Sequence, residues 1–514
     1  IVDDPRGEWS RVVIDRFTIS RDEILSFGNI TTIGIDLGGD GRRYCDYLID
    51  VFPRLDATAS NLSDIGLIEV AEGTVERPEA LERILVTFGG EDPSRLTERI
   101  TRSLVRAGVA PERITAVRPA LRDLGGTPAG VTVVEPVESL RGLMEGHQWV
   151  ICSFGLTAFE AAGTGNAVVI APASPYHARL ARKAGFLCLS PRPSLRTVRK
   201  SLSSVESARE RARRAAAEHR RSLSGVVRSL SDPLRRGCPA HRGVRGRDVW
   251  RDESRSYFRC PACGIVYMER FDGEDTRKRS LYEASYFFEQ YEAQYGKTYL
   301  EDFAAIKETG KRRIAAIERL SAAPGALLDI GCAYGPFLAA AQDCGYSAFG
   351  IDVAAEPVRY VAETLGVPAV RRSVHDLNPS EVWGINAFDV VTLWYVIEHM
   401  QELDEVLKRL SAWIRPGGVL ALSTPHLKGV SGRCRTEQFF AESPADHYTI
   451  WDGHSARRVL AEHGFSIRRI VVTGHHPERY PGVRRGVLPE WLARVHSKTF
   501  GWGDTFEVYA VRRA

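Results

Sequence analysis

The sequence predicts an α/β chain built on parallel sheets and divided into two units. Short β-branched runs alternate with amphipathic stretches through most of the 514 residues, as layered α/β folds require. That alternation breaks twice. Residues 195–236 are Arg/Ala/Ser-rich and helical in pattern, with Val198, Leu202, Val205, Val226, Val227 and Leu230 as sparse apolar positions. Residues 237–272 hold Cys, Pro, Gly and aromatics with no helical period. At roughly 150 residues per domain the length allows about three domains.

Hydrophobic residues at 44% and charged residues at 26% describe an ordered chain rather than a disordered one. No run of eighteen apolar residues occurs, so no membrane-spanning helix is expected. The 69 Lys+Arg against 65 Asp+Glu leave +4, and only residues 209–236 are Arg-rich, which disfavours nucleic acid as partner. The chain starts Ile1-Val2-Asp3-Asp4, without Met or the basic and apolar regions of a secretory signal. Of nine cysteines only Cys238, Cys260 and Cys263 cluster, which points to a reducing cytoplasm.

In the N-terminal unit, Ile84-Leu85-Val86-Thr87-Phe88-Gly89-Gly90 reads as a strand entering a glycine turn. Trp149-Val150-Ile151-Cys152 is a second strand, followed by the small polar turn Ser153-Phe154-Gly155-Leu156-Thr157 and a helix carrying Glu160; Ala167 to Ala171 is a third strand. A Ser/Gly/Thr turn at a helix start offers backbone N–H groups to an anion, and a glutamate one turn on suits a ribose. This pattern resembles the C-terminal, nucleotide-sugar-binding domain of GT-B-fold proteins, closest to the UDP-sugar hydrolases of the pseudaminic acid pathway. The resemblance implies a nucleotide site at Gly89, Gly90, Ser153, Gly155, Thr157 and Glu160. Val12-Val13-Ile14-Asp15-Arg16 and Gly34-Ile35-Asp36-Leu37-Gly38-Gly39 look like the tail of the companion domain. The Gly-rich loop and catalytic histidine of those hydrolases are missing, so the expectation is truncation through a GT-B fold. The alternatives are a hydrolase- or glycosyltransferase-like unit, a non-catalytic binding module, and a scaffold that binds nothing.

Cys238-Pro239-Ala240-His241 is followed after eighteen residues by Cys260-Pro261-Ala262-Cys263-Gly264. Two knuckles with two-residue gaps let both ligands of each reach one ion, so Cys238, His241, Cys260 and Cys263 are expected to close a structural Zn2+ site.

In the C-terminal unit, Leu327-Leu328-Asp329-Ile330-Gly331-Cys332-Ala333-Tyr334-Gly335 is an apolar strand running into a turn with small residues at alternate positions, before a helix from Pro336. A second strand, Ala348 to Asp352, ends in an acid seventeen positions after Gly335, placed as a ribose-binding acid in a doubly wound site. Val374-His375-Asp376-Leu377 marks a third edge and Phe388 to Trp394 a fourth strand. Arg415-Pro416-Gly417-Gly418 then turns into a fifth, Val419 to Ser423, and Thr505 to Val511 closes the sheet. This order resembles the class I S-adenosylmethionine-dependent methyltransferases, specifically those carrying a zinc ribbon, with their seven-stranded Rossmann-like sheet. The resemblance implies that Gly331 and Gly335 hold the methionine end of the cofactor, Asp352 its ribose and Asp376 its adenine amine, with Trp394 beside the adenosyl group; Asp329, Ala333, Val353 and Leu377 are expected as further cofactor contacts. Ala333 replaces the usual middle glycine, which is tolerable only if its φ stays negative. The Tyr-rich row Tyr282, Tyr286, Tyr291, Tyr295 and Tyr299 suits core packing, and by the same resemblance Tyr295 and Tyr299 also suit a lid over the cofactor.

The resulting domain plan is a GT-B remnant at 1–78, a nucleotide-sugar domain at 79–194, a helical linker at 195–236, a zinc ribbon at 237–272, a helical lid at 273–320 and a methyltransferase at 321–514. Methyl transfer to a hydroxyl or acidic carbon needs a base, and neutral imidazole is the natural one. His399, His447 and His426 are the candidates, each with a structural alternative. The expected activity is methylation of a sugar, nucleotide-linked (UDP the expected carrier) or in a surface glycan. The runner-up is a bifunctional glycan-biosynthesis protein with one of the N-terminal roles above, and a nucleic-acid methyltransferase reading through its ribbon is a third reading that the near-neutral charge disfavours.

Overall fold

Strands without a polar face need cover on both sides, and the two largest sheets of this chain, one parallel and one mixed, pack helices against them. The computed structural model describes residues 9–16, 18–52, 54, 59–64, 67, 83–89, 92, 94–120, 124–189, 194–202, 205–217, 222–233, 236–241, 243–273, 292, 296–320 and 324–514. One unit comprises residues 12–20 and 32–230; the other comprises residues 231–514 with short N-terminal stretches. Among the described residues no helix is long and apolar enough to cross a membrane.

The N-terminal unit holds an all-parallel six-stranded sheet ordered Leu187–Cys188, Ala167–Ile170, Trp149–Cys152, Ile84–Thr87, Ile114–Val117, Thr132–Val134. The order reverses between Ile84–Thr87 and Trp149–Cys152, so the turns after these two strands flank a topological switch point. A smaller parallel set, Thr31–Ile35, Tyr47–Asp50 and Leu62–Ser63, accompanies it. There Arg42 donates to both oxygens of Asp50 at 2.9 and 2.7 Å, out of solvent.

The stretch expected as a linker is instead part of this unit's core. Helices Leu195–Leu202 and Val205–Ala217 bury Val198 and Ala208 against Ile84, Val86, Trp149 and Val169. Its apolar positions look sparse because the contact face of the second helix is alanine: Ala208, Ala212 and Ala215, at helical spacing, are all buried.

The C-terminal unit carries the seven-stranded sheet. Its strands, numbered within it, are β1 (Ala326–Ile330), β2 (Ser347–Asp352), β3 (Ala369–Arg371), β4 (Phe388–Trp394), β5 (Ile414–Pro425), β6 (Phe465–Thr473) and β7 (Thr505–Arg512). The order is β3-β2-β1-β4-β5-β7-β6, with only β7 antiparallel to its neighbours. Alternation along β4 sends Val391 and Leu393 to one core, with Leu407 and Trp451, and Val390 to the other, with Ile314, Phe337 and Leu338.

Two further domain boundaries differ from expectation. Residues 274–291 and 293–295 of the expected lid lie outside the described residues, but Phe303–Glu318 is a layer of the sandwich: Ile314 and Ile317 are fully buried in the core. Gly310 permits the close approach, since a Cβ there would meet Ala340 Cβ at 3.0 Å. The ribbon is not a separate module either. Its antiparallel strands Arg247–Arg251, Arg255–Arg259 and Val266–Arg270 are extended by Thr449–Ile450, from beyond β5 of the seven-stranded sheet, and Cys238, Cys260, Cys263, Ile265 and Tyr267 share the core of Leu403, Leu407 and Trp451. A segment that small cannot bury a core of its own and borrows one.

Candidate functional site

β1 ends at the switch point of the seven-stranded sheet, and the chain turns there through Gly331 (φ +72), Ala333 (φ +46) and Gly335 (φ +77). The condition set for tolerating Ala333, a negative φ, is not met. The left-handed alanine, costing about 1–2 kcal/mol, is held by its own N–H, which donates to Asp352 Oδ2 at 2.9 Å. Asp352 Oδ1 accepts the N–H of Ala354 at 2.9 Å. One carboxylate at the end of β2 thus fixes both loops and keeps spare lone pairs for a ligand. Burial raises its pKa, against the pull of the backbone N–H groups it accepts. Beneath, burial pushes Asp329 up to about 7 although the Thr392 hydroxyl donates to it at 2.6 Å.

The other expected cofactor residues are more scattered. Val353 is exposed; Asp376 is exposed after β3 and accepts the Ser373 hydroxyl at 2.6 Å; Leu377 is buried in the core. Trp394 meets Phe337 edge-on with centroids 5.1 Å apart and lies under the Arg313 guanidinium at 4.0 Å. Arg313 also donates to Glu507 at 2.8 Å. Tyr299 reaches the loop, 6.0 Å from the Tyr334 ring, in a cluster with Ala333, Ala354 and Tyr360; Tyr295 lies outside the described residues.

Two of the three histidines come together. His399, in the turn Ile397–His399 after β4, places Nδ1 3.1 Å from Asp446 Oδ2, and its ring stands perpendicular to that of His447 with centroids 4.7 Å apart. Burial works against a charged His399, but Asp446 and Glu398 outweigh it and raise its pKa. Burial, then the charge of His399, pushes His447 down to about 3. The two rings are thus pushed in opposite directions, and His447 is neutral at pH 7. Glu398 is buried, and burial pushes it up to about 7. His426 is elsewhere: its Nδ1 bonds the Gly503 carbonyl at 3.0 Å and its ring packs on Phe506, with burial lowering its pKa. That is a histidine stitching β5 to the turn before β7.

Sequence reasoning missed Tyr395, Asp446 and Arg313. Tyr395 has φ +59, with its N–H donating to the Ser423 carbonyl at 3.0 Å. Left-handed non-glycine residues concentrate at functional loops, and nothing in a tyrosine announces one. Asp446 needed a contact across 47 positions to become meaningful.

The four Cys/His donors converge. Cys238 Sγ is 3.8 Å from Cys263 Sγ, and His241 Nδ1 is 3.6 and 3.9 Å from the sulfurs of Cys238 and Cys260. A tetrahedral zinc with metal–sulfur bonds of about 2.3 Å and metal–nitrogen bonds of about 2.05 Å has edges of about 3.8 Å and about 3.6 Å. The donor set has the size and chemistry of such a site.

In the N-terminal unit, Gly89 and the turn Ser153-Phe154-Gly155 follow the two strands at the switch point, Gly90 lying outside the described residues. The two helix starts differ. Asp92 fills the first, accepting the N–H groups of Leu96 and Thr97 at 2.8 and 2.9 Å. Helix Leu156–Gly163 has no side-chain cap, and a Cβ on Gly155 would meet nothing within 4 Å. Thr157 is half-buried there and Glu160 exposed.

A sheet of this order with its glycine turn tied to the acid ending β2 defines the class I methyltransferase fold. Residues 303–470 match the family model described as a methyltransferase domain, wholly within the C-terminal unit. This region is an S-adenosylmethionine-dependent methyltransferase domain. The chain is similar to the Ubiquinone biosynthesis O-methyltransferase of Haemophilus ducreyi, 32% identical over 105 residues that make up 19% of this chain and 44% of that protein. The match therefore spans less than half of the relative. Among solved structures, a SAM-dependent methyltransferase from Archaeoglobus fulgidus is 15% identical with a TM-score of 0.32, covering 43% of this chain and 98% of its own. The magnesium protoporphyrin IX methyltransferase from Synechocystis PCC 6803, solved with bound SAH, is 16% identical with a TM-score of 0.31, covering 46% and 98%.

Proposed function

We propose that the C-terminal unit methylates a hydroxyl or acidic carbon of a sugar, nucleotide-linked or in a surface glycan, with His447 as base. The observation that carries this is the loop Gly331–Gly335 tied to Asp352 at the switch point, with His399 following the neighbouring strand β4 and His447 packed against it. When bound, S-adenosylmethionine supplies a methyl group on a positively charged sulfur. Gly331, Ala333 and Gly335 offer backbone to its methionine end at the start of helix Pro336–Asp343; Asp352 offers oxygens to the ribose, and Asp376 to the adenine amine. His447, neutral at pH 7, accepts the acceptor's proton at a ring nitrogen. His399, held on Asp446 at 3.1 Å, fixes the edge of the site. The relative's name, an O-methyltransferase, favours a hydroxyl as acceptor.

The N-terminal unit, on this reading, binds a UDP-linked sugar. The uncapped helix start at Gly155 receives the phosphates, with Ser153 and Thr157 beside it, and Glu160 takes the ribose. A cytoplasmic setting agrees with nine unbridged thiols. Calorimetric titration with S-adenosylhomocysteine tests the first half, and absence of heat with Asp352 intact overturns it. Titration with UDP tests the second; binding that survives S153A/T157A overturns that assignment.

A further inference from the structure

The imidazole of the Cys/His site is held from outside the ribbon. His241 Nε2 lies 2.7 Å from Glu462 Oε2, at the end of helix Gly453–Glu462 in the methyltransferase domain, while Nδ1 faces the sulfurs of Cys238 and Cys260. The two ring nitrogens are divided between a metal position and a carboxylate, the arrangement that fixes the tautomer and orientation of a metal-bound histidine. The Glu462 side chain is 46% exposed, so burial does not force the contact.

The ribbon in turn templates the segment that carries the second histidine. Tyr267 and Val266 pair with Thr449 and Ile450, and the Met268 N–H donates to the Tyr448 carbonyl at 3.0 Å. Arg255 and Arg270 donate to the carbonyls of Ser443 and Ala445 at 2.8 and 3.2 Å. Residues 443–450, including Asp446 and His447, thus have much of their backbone bonded to the ribbon. The cofactor loop is held differently, with Gly331 and Cys332 donating to the Ile351 carbonyl.

We propose that Zn2+ bound by Cys238, His241, Cys260 and Cys263 acts as a clamp completed by Glu462: the carboxylate orients His241 for the metal, and the metal-filled ribbon holds segment 443–450 so that Asp446 and His447 face His399. The clamp rests on the methyltransferase reading only for its consequence on turnover, and its tests need no methyl transfer.

In the full-length protein, E462Q lowers zinc affinity by about 10- to 100-fold, read by competition with a chromogenic chelator. H241C supplies a fourth thiolate with no second ring nitrogen to orient, so E462Q in that background changes zinc affinity by less than about twofold. Stripping zinc from the wild type accelerates amide hydrogen exchange at residues 443–450 more than at residues 326–335. An equal effect of E462Q in both backgrounds, zinc binding without the four residues, or exchange at 443–450 indifferent to zinc overturns the proposal.

Discussion

Gly331 is where the loop after β1 is least able to accept a side chain, and G331A tests its proposed cofactor role directly. Two costs add. At φ +72 an alanine carries the left-handed penalty of about 1–2 kcal/mol. Its Cβ would also stand 2.4 Å from Val396 Cγ2, far inside contact distance, and forcing an extra methyl into packed surroundings costs about 1–3 kcal/mol. The sum, about 2–5 kcal/mol, is a large part of a domain's typical 5–15 kcal/mol, so the variant folds but is visibly weakened in urea. Val396 directly precedes Ile397, Glu398 and His399, and its displacement disturbs both the loop and the histidine turn. S-adenosylhomocysteine affinity, read by calorimetry, falls at least about tenfold if only 1.4 kcal/mol of the strain opposes binding. In a V396A background the steric part vanishes, and G331A costs only about 1–2 kcal/mol relative to V396A alone. G331A within about 0.5 kcal/mol of wild type, or an equal cost in both backgrounds, refutes the reasoning.

The histidine pair makes predictions of opposite sign. His399 has its pKa raised above the ordinary 6.5, so its contribution to stability is full below that value and is lost as pH rises through the folded pKa; D446N removes that dependence in urea titrations across pH 6–9. His447, pushed down from 6.5 to about 3, contributes stability above pH 6.5 that fades as pH falls towards 3. H447Q lowers kcat by about 10²- to 10⁴-fold with S-adenosylhomocysteine binding intact, whereas H426Q leaves the pH–rate profile unmoved. Arg313 and Glu507 form an ion pair with side chains each 10% exposed. R313M strands the carboxylate and costs about 3–5 kcal/mol in urea unfolding, and R313M/E507L recovers most of it.

Much of the architecture was legible because it is local. Strand runs, glycine turns and the two knuckles are patterns within a dozen residues, and they located β1, β2, β4, the loop from Gly331 and the Cys/His residues that converge. Asp352 was legible because an acid ending the second strand has a fixed place relative to the first turn. Even so, the condition set for Ala333 was not met: Asp352 accepts its N–H and so supports a left-handed alanine. The 195–217 helices were misread because alanine faces give a weak apolar signal although they pack closely on a sheet.

What the sequence alone determined is the class of fold, the glycine turn after β1 and the four Cys/His residues that come together. Only the tertiary structure decided which histidine has a carboxylate partner, which is left neutral and which is a structural stitch. It also decided that the ribbon shares a sheet and a core with the methyltransferase. The physical reason is reach. Backbone preference and hydrophobic periodicity act over a few residues, whereas Asp446 on His399 and Glu462 on His241 are pairings across 47 and 221 positions, set by packing and not by pattern.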